Sequence, residues 1–264
     1  MLNACFRAEM VKLRKSWPML AAILAPICLV GFLGVIFWYS DEVVVRFHPG
    51  SRFLLDLNVA GWNLFVLPAV AAMMAELSWA QDRDASVWRH LLCQPRPRVA
   101  QYLAKLANLW ALVAFSQILL FALVPPVRLI LLKDRNPWIV WMMGQTDMAL
   151  FWEFACFSLV ASIPVVAFHT WFSFRLPGAG PALGVALVGT WASTKLVALT
   201  YLMPLLPWGL SGHAATIFDR YKKVPWEYFP WKYCYGALSL SLALAMLGAL
   251  DFKKHAFTKS LERE

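Results

Sequence analysis

Charge is scarce in this chain, and acidic charge is scarcer. Of 264 residues, 15% are Asp, Glu, Lys or Arg, and 15 acidic residues stand against 24 basic ones. Hydrophobic residues make up 61%, well above the roughly 45–50% of ordinary globular domains, so one water-soluble core cannot bury them. The composition implies a membrane protein with a single domain, residues 1–264. The five cysteines, Cys5, Cys28, Cys93, Cys156 and Cys234, show neither CxxC nor framework spacing; this leaves disulfides and metal sites without support. Also missing are GxxxxGK[ST], HExxH and GxSxG. Without the first there is no loop to cradle ATP phosphates, and without the others no familiar zinc or nucleophile set. His169 and His213 stand alone, in keeping with packed or interfacial side chains rather than ligands. The net charge of +9 raises nucleic acid as a partner. The cations, however, lie between apolar runs rather than on one soluble face, so no nucleic acid is expected and the charge reads as topology and lipid contact.

What is present is long apolar runs. A helix needs about 20 mostly apolar residues to cross the hydrocarbon layer, because every backbone N–H and C=O must pair within the segment. Six uncharged or nearly uncharged runs meet that need: Trp17 to Tyr39, Leu57 to Ala75, Leu106 to Val127, Phe154 to Phe174, Leu176 to about Pro207, and Tyr233 to Leu250. The first follows a basic arm as a signal peptide would, yet it is too long for such a core and ends in FWYSDE, so it is expected to remain as an anchor. The fifth could divide in two around Lys195 and give seven crossings; the lack of turn residues near Lys195 favours one.

With six spans, Lys and Arg are richer on the side holding the N-terminal arm, the segment after span two and the C-terminal tail, residues 251–264. That side is expected to be cytoplasmic, with both termini inside, although the cluster from Arg220 to Lys232 argues against it. In the arm, residues 1–16, Leu2, Phe6, Met10, Leu13 and Trp17 recur at helical spacing. They suit an amphipathic helix lying in the interface, and an ordinary basic flank to the first span suits the same residues.

The polar segment 78–100 has an apolar pattern of its own. Asp84 or Ser86 caps a short helix whose Val87, Trp88, Leu91 and Leu92 share a face, and Pro95 and Pro97 stop it. A loop that only joins two spans could be much shorter. Its apolar face needs cover, from lipid or from a protein partner.

Taken in order, the acidic residue at the end of span two, the polar turn, Trp88, the Leu91–Leu92 pair, Pro95, Arg98 and Lys105 resemble type-2 ATP-binding-cassette (ABC) exporter permeases. Within that class the chain most resembles the permeases of bacterial antibiotic-peptide resistance and lantibiotic-immunity exporters. Glu9, Lys12, Leu13, Arg14 and Ser16 are similar to their opening. The chain departs from them at Ser86 and Val87, where those permeases often carry Gly and Thr, which leaves the start of the short helix open. The resemblance implies a multi-pass protein of the bacterial cytoplasmic membrane, exporting an amphipathic peptide, antibiotic or lipid-like substrate. It implies an ABC ATPase partner that holds the ATP and Mg, none being held by this chain, and a second copy or related permease. On this likeness the short helix is a coupling helix, with Trp88, Leu91 and Leu92 as anchors in a groove of the ATPase and Arg89, Arg96 and Arg98 at the rim. The ATPase-coupling set is then Asp84, Trp88, Arg89, Leu91, Leu92, Pro95 and Arg98. The alternatives are an interfacial helix without a partner, a non-transporting scaffold and an intramembrane enzyme.

Two further features bear on the membrane interior. Lys195 lies deep in the fifth run, where a charge costs at least about 2.5–3.5 kcal/mol, so it is expected to line a pathway, to pair with Glu153, or to snorkel to an interface. Before span six, Pro204, Pro207, Gly209 and Gly212 break helix, and Trp226, Tyr228, Phe229 and Trp231 suit the headgroup belt. Short re-entrant or interfacial helices are expected there, a plain aromatic anchor being the alternative.

Overall fold

The computed structural model describes residues 2–14, 16–39, 58–83, 97–132, 148–196, 206–211 and 231–261, and those residues are helical apart from short turns. Among the described residues seven long helices follow in order: α1 (Leu2–Leu13), α2 (Trp17–Tyr39), α3 (Asn58–Arg83), α4 (Arg98–Leu132), α5 (Met148–Arg175), α6 (Ala179–Leu196) and α7 (Trp231–Leu261). Five of them, α2, α3, α4, α5 and α7, are long and apolar enough to cross a membrane. The fifth apolar run forms α6, whose 18 residues are interrupted by polar Thr190, Ser193, Thr194 and Lys195.

The joints follow from local chemistry. Ser16 ends α1 by donating its hydroxyl to Leu13 O at 2.8 Å, and its own carbonyl accepts from Met19 and Leu20 at the start of α2. Pro18 sits in the first turn of α2, where no intrahelical donor is lost. Pro26, Pro125, Pro126 and Pro164 lie inside helices; packed neighbours and local adjustment make such positions tolerable in lipid-spanning helices. Between α5 and α6 the chain reverses within three residues, and Gly178, at φ 126, takes the left-handed backbone that glycine permits.

Helix α4 packs against α1, α2, α5 and α7, while α3 packs against α2, α5 and α6. Ala72 on α3 meets Ala182 and Ala186 on α6, so small side chains bring these helices close. A second close approach joins α4 to α7, where a methyl added at Gly248 would overlap the Tyr102 phenol. Helices α2 and α7 are peripheral and α5 is central, since 28%, 33% and 61% of their apolar windows are buried.

Several boundaries run past those expected from the apolar runs. Helix α3 continues two turns beyond Ala75, taking in Glu76, Asp82 and Arg83, so the first six residues of the 78–100 segment belong to a helix. Helix α7 carries on from Leu250 through the basic tail to Leu261. In both places charge does not stop the helix: Glu76, Asp82, Arg83 and Asp251 are paired, and Lys253 and Lys254 are exposed.

Candidate functional site

Ion pairs among the described residues gather at one end of the bundle, where α3 stops and α4 starts. Glu9 and Lys12 stand three residues apart on α1, Asp82 lies in the last turn of α3, and Lys105 lies two turns into α4. Lys12 Nζ is 2.7 Å from Glu9 Oε1 and 3.0 Å from Asp82 Oδ1. Lys105 Nζ is 2.7 Å from Asp82 Oδ2 and 3.5 Å from Glu9 Oε2. Two cations and two carboxylates thus alternate around a closed ring with no net charge.

The ring is largely withdrawn from water. The Lys105 and Asp82 side chains are each 4% exposed, so each charge depends on its neighbours for compensation. Lys105 also donates to Ser78 Oγ at 2.9 Å and Ser78 O at 3.0 Å, and its ammonium lies 4.6 Å from the Trp79 ring. Cation–π attraction adds to the pairing there. Burial alone would lower the pKa of Lys12, but Glu9 and Asp82 outweigh it and hold the ammonium above its ordinary value of 10.5.

A second cluster stands beside the ring. Arg83 forms a bidentate pair with Glu76, at 2.8 and 2.9 Å, and donates to Ser173 O at 3.0 Å. Glu76 Oε1 also accepts the backbone N–H of Gly178 at 2.9 Å. One carboxylate therefore fixes the α5–α6 turn to α3. Next to it, Trp79 donates to Thr170 O at 2.8 Å and packs with Tyr102, Phe174 and Phe252. Asp251 on α7 pairs with Arg175 and accepts from Trp171 Nε1 at 3.1 Å.

This stitching surrounds the two points where segment 84–97 departs and returns. Of the residues expected to couple to an ATPase, Asp84, Trp88, Arg89, Leu91, Leu92 and Pro95 lie outside the described residues. Arg98 is the first residue of α4. Lys195 falls in the last turn of α6 with its side chain exposed. Glu153 lies near the start of α5, and its side chain is outside what is described, as is any pairing with Lys195.

Glu9, Lys12 and Lys105 enter the sequence likeness as separate landmarks, and their meeting in one ring with Asp82 is not legible there. Ser78 and Asp82 have no role in the sequence pattern, and Arg83 has only its share in the positive charge of its side. A signal was available, since Glu76 and Asp82 extend an apolar run that can hold them only with cations at the same depth, and Lys105 opens the next run.

Helices of this length and polarity, with an ionic ring joining α1, α3 and α4 at one end, define a polytopic membrane protein. The chain matches the family model of ABC-2 family transporter protein over residues 5–193, well over half its length, and it belongs to that family. It is therefore a membrane component of an ABC transporter system, the family being that of the permease and not of the ATPase. No curated protein matches it significantly.

Proposed function

We propose that the chain is the permease subunit of an ATP-driven ABC exporter of the bacterial cytoplasmic membrane. On this reading the charged end of the bundle faces the cytoplasm, α6 serves as the sixth membrane-embedded helix, and both termini lie inside. A separate ABC ATPase binds ATP and Mg and docks on the Asp84 to Arg98 segment through Trp88, Leu91 and Leu92. A second copy or a related permease completes the pathway, and the cargo is an amphipathic peptide, antibiotic or lipid-like compound.

The observation that carries the proposal is the ring of Glu9, Lys12, Asp82 and Lys105. Its members lie on α1, α3 and α4, and the segment hangs between the last two. A push on the segment reaches all three helices through buried, directional contacts, because a packed charged cluster has no loose side-chain freedom in which to absorb it. A scaffold that never transports has no need of a clasp at that position.

The test is co-purification. The full chain, expressed with the P-loop ATPase encoded nearest its gene, should retain that ATPase, and Trp88→Ala with Leu91→Ala should release it while the permease stays folded. If the double variant retains the ATPase and supports normal transport, the docking assignment is wrong. If no ATPase is retained by the unaltered chain, the permease reading itself fails.

A further inference from the structure

Away from the ionic ring, residues 206–211 are packed against α5 and α6. Gly209 N donates to Leu206 O at 3.0 Å, and Ser211 Oγ donates to Trp208 O at 2.9 Å, closing one compact turn. The turn presents Trp208, which is 7% exposed. The indole lies on the backbone of α6, and a Cβ added at Gly189 would overlap its Cδ2 and Cε2 atoms. Gly189 precedes the end of α6 at Leu196 by seven residues, or about 10 Å of helix at 1.5 Å per residue. Trp208 is therefore seated along the side of α6 rather than at its end.

The rest of the seat is aromatic. Phe168 meets the indole at 4.8 Å between ring centroids and 64°, and His169 meets it at 5.7 Å and 74°, both edge-on. Phe172 stacks on Phe168 at 5.7 Å. A glycine floor with aromatic walls is the shape that a flat ring fills, and edge-to-face contacts add to the area such a ring buries. The polar chemistry of the seat is incomplete. His169 is fully buried, and among the described residues neither ring nitrogen has a hydrogen-bond partner; Trp208 Nε1 has none there either. Buried polar groups are rarely left in that state, and each one weakens the hold on whatever occupies the seat. Trp208 fits the slot by shape and fails it by hydrogen bonding.

The geometry points to an aromatic slot that the chain's own Trp208 fills as an exchangeable occupant. It takes in exchange a planar aromatic group carrying a hydrogen-bonding edge, such as the indole or phenol of a cargo. Such a group would gain the same ring contacts and could satisfy His169, which Trp208 does not. For its cargo the inference rests on the permease reading, whereas the slot itself is measurable on the isolated chain without any ATPase.

Two measurements on the full chain in detergent test it, with free indole as the probe. Trp208→Ala should lower the melting temperature by several degrees, and millimolar indole should restore at least half of that loss. The same indole should restore nothing in Trp208→Ala with Gly189→Leu, where the leucine fills the floor of the slot. Equal shifts in these variants and the unaltered chain, or no shift in any, would overturn the proposal. The second measurement does not depend on folding of the alanine variant. In a chain whose five cysteines are replaced, Ser211→Cys is buried and should react slowly with a maleimide, and indole should speed labelling at least fivefold by displacing Trp208 and its turn. Labelling that indole leaves unchanged would sink the exchange. A loss of ATPase co-purification with both results intact would instead remove the permease reading and leave the slot standing.

Discussion

Lys105 shows how much depends on single side chains at the charged end. Its ammonium has two carboxylates, a hydroxyl and a carbonyl in reach while the side chain is almost completely buried. Replacing it with methionine keeps most of the volume but leaves Asp82 and Glu9 facing one cation, Lys12, which is 32% exposed. Breaking a buried ion pair from one side costs about 3–5 kcal/mol, so Lys105→Met should lower the melting temperature clearly. Lys105→Met with Asp82→Asn restores the charge balance and should recover part of that loss, which thermal melting of the purified chain would reveal. By contrast, the Lys12 contacts are partly solvated, so Lys12→Met should cost about 1 kcal/mol or less. At Gly248 the reasoning is steric. A methyl there overlaps the Tyr102 ring, and overpacking of this kind costs about 1–3 kcal/mol; Gly248→Ala should be destabilising, where alanine in an open helix position would stabilise.

Among the elements, α1 shows what helical spacing leaves open. Leu2, Phe6, Met10, Leu13 and Trp17 suit an amphipathic helix lying in the interface, and the protein leaves Met10 and Trp17 exposed at 44% and 70%. Leu13 turns the other way and joins Cys5 and Glu9 on the face buried against the bundle. Periodicity identifies an amphipathic helix but not which face meets protein, because in a membrane the apolar face has lipid as an equally good neighbour. What selects the inward face here is Glu9, which needs the buried cation of Lys105. The docking of α1 should therefore respond to charge. Glu9→Gln should make the arm easier to cleave in limited proteolysis, whereas Met10→Ala should leave cleavage unchanged. The pH dependence has a definite sign. The pKa of Lys12 is raised on folding, so its contribution is complete below the unfolded value of 10.5 and is lost as pH climbs through the higher folded value. As far as Lys12 governs it, protection of the arm should be flat from pH 7 to 9 and fall only above about 10.5, a profile that proteolysis in alkaline buffers would follow.

For the whole molecule, composition and run length were enough to indicate an all-helical membrane protein, because the need to pair every backbone group in lipid leaves few other solutions. The count was harder to read. Leu176 to Pro207 is one unbroken apolar stretch in sequence, but α6 occupies Ala179–Leu196, and Trp208 is packed back against its side. The notch that allows this is a missing Cβ at Gly189, invisible to any hydropathy average. The ionic ring was hidden for a related reason, since its members are separated by as many as 96 positions, from Glu9 to Lys105. Each has a bland local explanation, and only tertiary packing brings them together. That arrangement separates two failures which a transport assay alone would merge. Trp88→Ala with Leu91→Ala should abolish ATPase retention with little change in melting temperature if, as proposed, those side chains serve a partner. Lys105→Met with Asp82→Asn should retain the ATPase on the segment, yet lower cargo-dependent ATP hydrolysis several-fold, because the segment would move without drawing α1 along. Retention and turnover measured on the same reconstituted complex distinguish the two. If the ring variant hydrolyses ATP and transports normally, the ring supports the fold alone and transmission must run through the neighbouring Glu76–Arg83 pair and its hold on the α5–α6 turn.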